Sequence, residues 1–168
     1  MPFSSELLAL SVVSDRKRHC FMIRRFLFPN YDNTSPYNSL FLLLARIVFG
    51  ILFLTHGVQK LMAYGHLSTT FPDPLGIGSQ TSLILAIFAE FICSAAFILG
   101  LFYRLALIPM IFTMGMAVFK IHAADPFAVK ELALVYLLIF IIMYLTGPGR
   151  YAIDHFMSER KVAVAPIL

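Results

Sequence analysis

The chain has no tryptophan, few charges and only two cysteines. Each shortage excludes something. Cys20 sits in a basic stretch and Cys93 in an apolar run, and no C-x-x-C links them. A structural disulfide or a redox dithiol is therefore not supported, and neither is a zinc or iron–sulfur ligand set. Charged residues make up 13% of the chain, against about 25% in an average soluble domain. The formal charge of +4 would suggest nucleic acid in a soluble protein. Here the basic residues cluster at the ends of apolar segments, which is a topology signal, so no nucleic-acid partner is expected. Soluble-enzyme motifs are missing too: no G-x-G-x-x-G, P-loop, H-E-x-x-H or G-x-S-x-G occurs. Without tryptophan, interfacial anchoring falls to tyrosine and phenylalanine.

What is present is oil: 60% of the 168 residues are hydrophobic. This places the chain in the membrane class, as one domain. Residues 1–38 form a basic lead-in. Its short apolar run, Leu7 to Val13, precedes the charges Asp15 to Arg18, the reverse of a signal peptide. Met22 opens a run, MIRRFLFP, that reads as a short interfacial helix. Residues 1–21 read as an extension upstream of a start at Met22.

Four spans of about 20 mainly apolar residues follow, at 39–62, 81–101, 103–121 and 127–146, within a membrane domain of 39–157. The loop between the first two contains Phe71-Pro72-Asp73-Pro74-Leu75-Gly76-Ile77-Gly78, too rich in proline and glycine for regular helix there, and apolar enough to fold back onto the bundle. Thr81 or Ser82 is expected to cap the second span. Pro109 is expected to kink the third, and Asp125-Pro126 to open the fourth as cap and first helical residue. Residues 158–168 form a tail. Arg16, Lys17, Arg18, Arg24, Arg25, Arg104, Arg150, Arg160 and Lys161 all fall on one side of such a topology. The positive-inside rule then places both termini in the cytoplasm. The fold class is all-α: a polytopic four-helix membrane bundle, N-in and C-in.

The stretch Leu44 to Leu61, LARIVFGILFLTHGVQKL, carries Arg46, His56, Gln59 and Lys60 inside an apolar span. Ionisable groups there are costly and generally face a bundle interior or a cavity. At about 100° per residue, Arg46, Gly50, Phe53, His56, Gly57 and Lys60 share one face, and Gln59 points elsewhere. Glu90 in the second span shares a face with Ala86, Ile87, Cys93, Ser94 and Phe97. Depth counting puts Glu90 near mid-membrane, within reach of the long Arg46 side chain. Lys60, Lys120, His122, Lys130 and Glu131 gather at the outer end. The candidate ligand-binding set is therefore Arg46, His56, Gln59, Lys60, Glu90, Lys120, His122 and Glu131, around an outward-facing polar cavity with no metal. An Arg46–Glu90 pair also has a purely structural reading, and the lysines could simply snorkel to the headgroups. His56 is the hardest to read as structural, since its ordinary pKa suits proton exchange.

Ala45-Arg46 with Gly50, and His56-Gly57-Val58-Gln59-Lys60-Leu61, resemble the first span of the DoxX family. Phe71 to Gly76 resembles its first outer loop, and Glu90 its acidic position in the second span. Asp125-Pro126-Phe127, Glu131-Leu132-Ala133 and Gly147-Pro148-Gly149-Arg150-Tyr151-Ala152-Ile153-Asp154 fit the third and fourth spans. The likeness covers about residues 22–157. It implies a four-helix protein of the bacterial inner membrane, with some relatives serving as small subunits of quinone-linked oxidoreductases or oxidative-stress complexes. The resulting expectation is an accessory subunit rather than a self-sufficient enzyme. It would bind a quinone (menaquinone or ubiquinone) and pair with a redox partner protein and membrane lipid, with a homo-oligomer as a further option. The alternative is a non-enzymatic module that binds or transports lipid or a small anion, or acts as a scaffold.

Overall fold

Proline opens the first helix. In the computed structural model, which describes residues 35–157, Pro36 occupies the first turn of α1, Pro36–Met62, where its missing N–H costs nothing. A short helix α2, Tyr64–Thr70, follows after a break at Ala63. The second long helix, α3, spans Ser79–Leu99, the third, α4, Tyr103–Ile121, and the fourth, α5, Phe127–Thr146. All four long helices are long and apolar enough to cross a membrane, and no strand occurs among the described residues. Residues 153–157 add one helical turn. The expected lead-in helix at Met22 and the tail at 158–168 lie outside the described residues.

Span boundaries agree with the sequence reading to within three residues, and the differences have physical causes. The second span ends at Leu99 because Gly100 takes a left-handed conformation, φ 69°. There the Leu101 N–H donates to Ala96 O and the Gly100 N–H to Phe97 O, the paired bonds of a Schellman stop. The same span starts at Ser79, earlier than the expected Thr81 or Ser82 cap. The Asp73 carboxylate accepts from the Ile77 and Gly78 N–H groups and from Ser82 Oγ, so a loop aspartate organises this helix start and Ser82 is its donor. Asp125 does not cap α5 either. It bonds the His122 ring instead, and Pro126 stands at the cap position with Phe127 as the first helical residue. Tyr64 to Thr70 is helical although it was expected to be loop. The proline-rich stretch after it does return to the bundle, with Phe71, Pro72, Pro74 and Leu75 lying against the interior.

In a bilayer, packing rather than water exclusion joins helices, so small residues mark the contacts. Gly57 and Gly50 of α1 do so against α3. A Cβ at Gly57 would lie 2.7 Å from the Glu90 carbonyl carbon and the Phe91 nitrogen; one at Gly50 would meet the Ile98 side chain. Around the bundle, α1 packs on α3, α3 on α4 and α4 on α5. Aromatic rings close the ring of helices between α1 and α5: Phe53 lies 5.4 Å from Tyr136 and 4.9 Å from Phe140. The faces expected of α1 and α3 turn inward, with His56, Lys60 and Ile87 half-buried and the rest buried. Arg46, Gly50, Phe53 and Gly57 line the inside of α1, and Ala86, Glu90, Cys93, Ser94 and Phe97 that of α3.

Candidate functional site

Two polar centres occupy opposite ends of the inner face of α1. At the end shared with the chain's last described residues, Arg46 is 2% exposed. Its Nη1 donates to Pro148 O at 3.1 Å and its Nη2 to Tyr151 O at 2.8 Å. Gly100 leaves the space for it, since a Cβ there would fall 2.6 Å from Nη1. Beside it the buried Asp154 carboxylate accepts from the Phe102 and Tyr103 N–H groups at 2.9 and 2.8 Å. It thus caps the start of α4 from a distant part of the sequence. Phe102 has φ 45°, a costly value without glycine, and this capping bond helps hold it there. The Tyr103 hydroxyl donates to Met143 O. Arg46 and Asp154 tie the segment after α5 to the other helices, and Tyr103 ties α4 to α5.

Arg46 therefore does not reach Glu90, as depth counting had it. Gly57 stands opposite Glu90, and Gly50 opposite Ile98. This register carries Arg46 past the end of α3. A cation there faces the negative pole of that helix.

The partner of Glu90 is Lys60. Glu90 is 2% exposed, and its Oε2 accepts from Lys60 Nζ at 2.5 Å. Glu90 belongs to a wide π turn, Phe88–Cys93, whose Ala89, Glu90 and Cys93 are all buried. Such turns interrupt regular α-helix mostly at functional positions. A second π turn, Ala117–Ile121, lies in α4.

The Lys60–Glu90 pair lies in the wall of a cavity of about 600 Å³ between the four spans, in the half of the bundle next to α2. Of the eight candidate residues, His56, Lys60, Glu90 and His122 line this cavity. Arg46 is at the other end. Gln59, Lys120 and Glu131 are exposed and form no part of its wall. His122 bonds Asp125 at 2.8 Å, and Lys130 donates to Ala123 O, so both serve the α4–α5 turn.

Sequence reasoning missed Tyr136. It is buried, lines the cavity and stands edge-on to the His56 ring at 6.0 Å. A tyrosine in the middle of a strongly apolar span was the available signal. Asp73 and Ser82 were likewise passed over as site residues, although they pin the loop that covers the cavity. The Ser82 hydroxyl, with the Gly78, Ile77 and Gly76 N–H groups, holds the Asp73 carboxyl below the usual aspartate value. Asp73 is half-buried, which works against its ionised form.

Chemically the cavity offers a mostly apolar wall, with Ser82, Thr113 and His122 as scattered polar members and one corner where four polar side chains gather. The corner holds an ammonium already neutralised by a carboxylate, an imidazole and a phenol. These can donate to a carbonyl or hydroxyl oxygen and can exchange a proton with it. Among the described residues, no three His, Cys, Asp or Glu side chains converge as a metal would need.

Comparison with known proteins agrees with this architecture. The DoxX family profile matches residues 41–123, from the first turns of α1 to the end of α4. A protein of Haemophilus influenzae described only as uncharacterized is 32% identical over 131 residues, covering 74% of this chain and 96% of its own length. An uncharacterized membrane protein of Mycobacterium tuberculosis is 29% identical over 143 residues, covering 70% of this chain and 82% of its own. No solved structure matches. The chain is a four-span membrane protein, and it belongs to the DoxX family.

Proposed function

We propose that this protein is a small membrane subunit that binds a quinone-like ligand in the cavity at the α2 end of the bundle. The observation that carries the reading is the composition of the cavity: a mostly apolar wall with few polar side chains, and the Lys60 charge already balanced by Glu90. A neutral head with carbonyl oxygens on an apolar body suits that wall. An anionic head suits it less, because the ammonium has its counter-ion. Lys60 and His56 would donate to the ligand's oxygens, with Glu90 or His56 exchanging protons. The electrons would come from a redox centre in a partner protein. The basic residues of the terminal segments and of the α3–α4 turn support an orientation with both termini in the cytoplasm of a bacterial inner membrane, and hence a cavity toward the outer face.

Native mass spectrometry of gently solubilised protein tests the reading. A co-purifying quinone is expected, lost in His56→Ala and in Glu90→Gln. A retained phospholipid would favour a non-enzymatic lipid-binding module instead.

A further inference from the structure

The cavity has to be reached from somewhere, and its rim says from where. Toward the loops it is roofed by Phe71, Pro72, Pro74 and Leu75. That roof is pinned to the start of α3 through Asp73, and Gln80 bonds the Tyr64 hydroxyl of α2 at 3.0 Å. On the side, α3 and α4 diverge. The α4 helix packs on the π turn and the last turns of α3, whereas the first half of α3, Ser79–Ile87, packs on α1 and α2. Leu85 and Phe88 of α3 and Phe112 of α4 line the cavity and are also about half exposed, at 48%, 46% and 54%. Where two neighbouring membrane-spanning helices have separated, side chains that both line the cavity and face outward at the depth of the lipid chains mark an opening to the bilayer. Phe88 and Phe112 each lie nine residues into their helices, about 14 Å from the helix start, which is hydrocarbon depth in a core about 30 Å thick. Nearer the loops the exposed rim continues with Ile121, Val129 and Leu132. Every exposed residue of the cavity wall is apolar, while its polar members are buried or half-buried. A mouth onto water would show the reverse.

We infer that the cavity is filled sideways from the bilayer, through a portal between α3 and α4 lipped by Leu85, Phe88 and Phe112, and that its occupant is a membrane-dissolved molecule with a long apolar chain. This rests on the cavity being a ligand site, as proposed above, and adds the source and shape of the ligand. The chain threads between α3 and α4 while its head reaches Lys60, His56 and Tyr136. The portal needs no opening of the Asp73-pinned roof.

The absence of tryptophan makes a clean test available. Phe53→Trp places a reporter on the cavity wall. Phe140→Trp places one in the same aromatic cluster, fully buried and off that wall. Each full-length variant is reconstituted in vesicles of phosphatidylcholine brominated along its acyl chains, and separately exposed to aqueous iodide. Phe53→Trp is expected to be quenched severalfold more than Phe140→Trp by the brominated chains, and by iodide no more than Phe140→Trp. Equal quenching of the two by bromine, or selective quenching of Phe53→Trp by iodide, would overturn the portal. If Phe53→Trp folds poorly, Ala133→Trp reports from the same cavity. Bromine quenching of the cavity reporter in protein that retains no quinone leaves the portal standing and removes only the quinone reading.

Discussion

The two ends of α1 use similar parts for opposite purposes. Each has a buried or half-buried cation, a nearby carboxylate and a glycine that admits a close neighbour. At the Arg46 end the charged groups bond the protein itself. The guanidinium bonds two carbonyls, Asp154 caps α4, and Gly100 is filled by the Arg46 side chain. At the Lys60 end the same kind of pair faces an open volume of about 600 Å³. A buried ion is thus not by itself a sign of function. The sign is whether space remains beside it after its protein partners are counted.

The contrast yields an ordered set of expectations. The largest effect is expected from Arg46→Met, which leaves the Pro148 and Tyr151 carbonyls unpaired. Each charge-assisted bond is worth about 1.5–3 kcal/mol, so a stability loss on the order of 3–6 kcal/mol is expected, read as a lowered thermal midpoint in detergent. Ligand retention in the surviving folded fraction should be unchanged. Gly57→Ala comes next. Its Cβ would lie 2.7 Å from the Glu90 carbonyl carbon and the Phe91 nitrogen, and backbone cannot swing aside as a side chain can. Overpacking of this sort costs about 1–3 kcal/mol, and it should also disturb Glu90, so stability and binding fall together. Asp154→Ala removes the cap of α4, for which about 0.5–2 kcal/mol is expected, again with binding intact. Lys60→Met reverses the pattern. The Lys60 side chain is 25% exposed and faces the cavity, so the thermal midpoint should fall less than in Arg46→Met while ligand retention is lost.

The smallest effect concerns acid. Asp73 in the folded protein titrates below its ordinary value, mainly through the Ser82 hydroxyl. A depressed carboxyl adds stability that is fully present above the unfolded pKa and disappears as pH falls through the lower folded value. The thermal midpoint of wild type should therefore exceed that of Asp73→Asn near neutral pH, and the two should converge in acid. A gap of constant size across that range would show that Asp73 does not act through its charge.

Much of this architecture was legible from residue pattern. Runs of about 20 apolar residues locate the spans, and helical periodicity picks out the inner faces of α1 and α3 before any coordinates. The pairing was not legible. Counting depth from each span's ends treats the two helices as level, yet α1 and α3 are offset, with Gly57 against Glu90. Along α1, Arg46 lies about 21 Å from Lys60, farther than an arginine side chain spans. The carbonyls that Arg46 does bind belong to the return of the chain after α5, a long-range event with no local periodicity. The π turn at Glu90 and the role of Tyr136 are of the same kind, since both depend on which helix stands opposite. Asp73 was visible in sequence, but a cap is ordinarily sought in the residues that adjoin the helix, and this one acts across the loop.

The division of labour along α1 is tested most directly by one titration. Wild type, Lys60→Met and Arg46→Met, each in detergent, are titrated with a soluble short-chain ubiquinone analogue while tyrosine emission is followed. Saturable quenching is expected for wild type and for the folded fraction of Arg46→Met, and none for the folded fraction of Lys60→Met. No saturable binding to wild type, or equal loss of binding in the two variants, would contradict it.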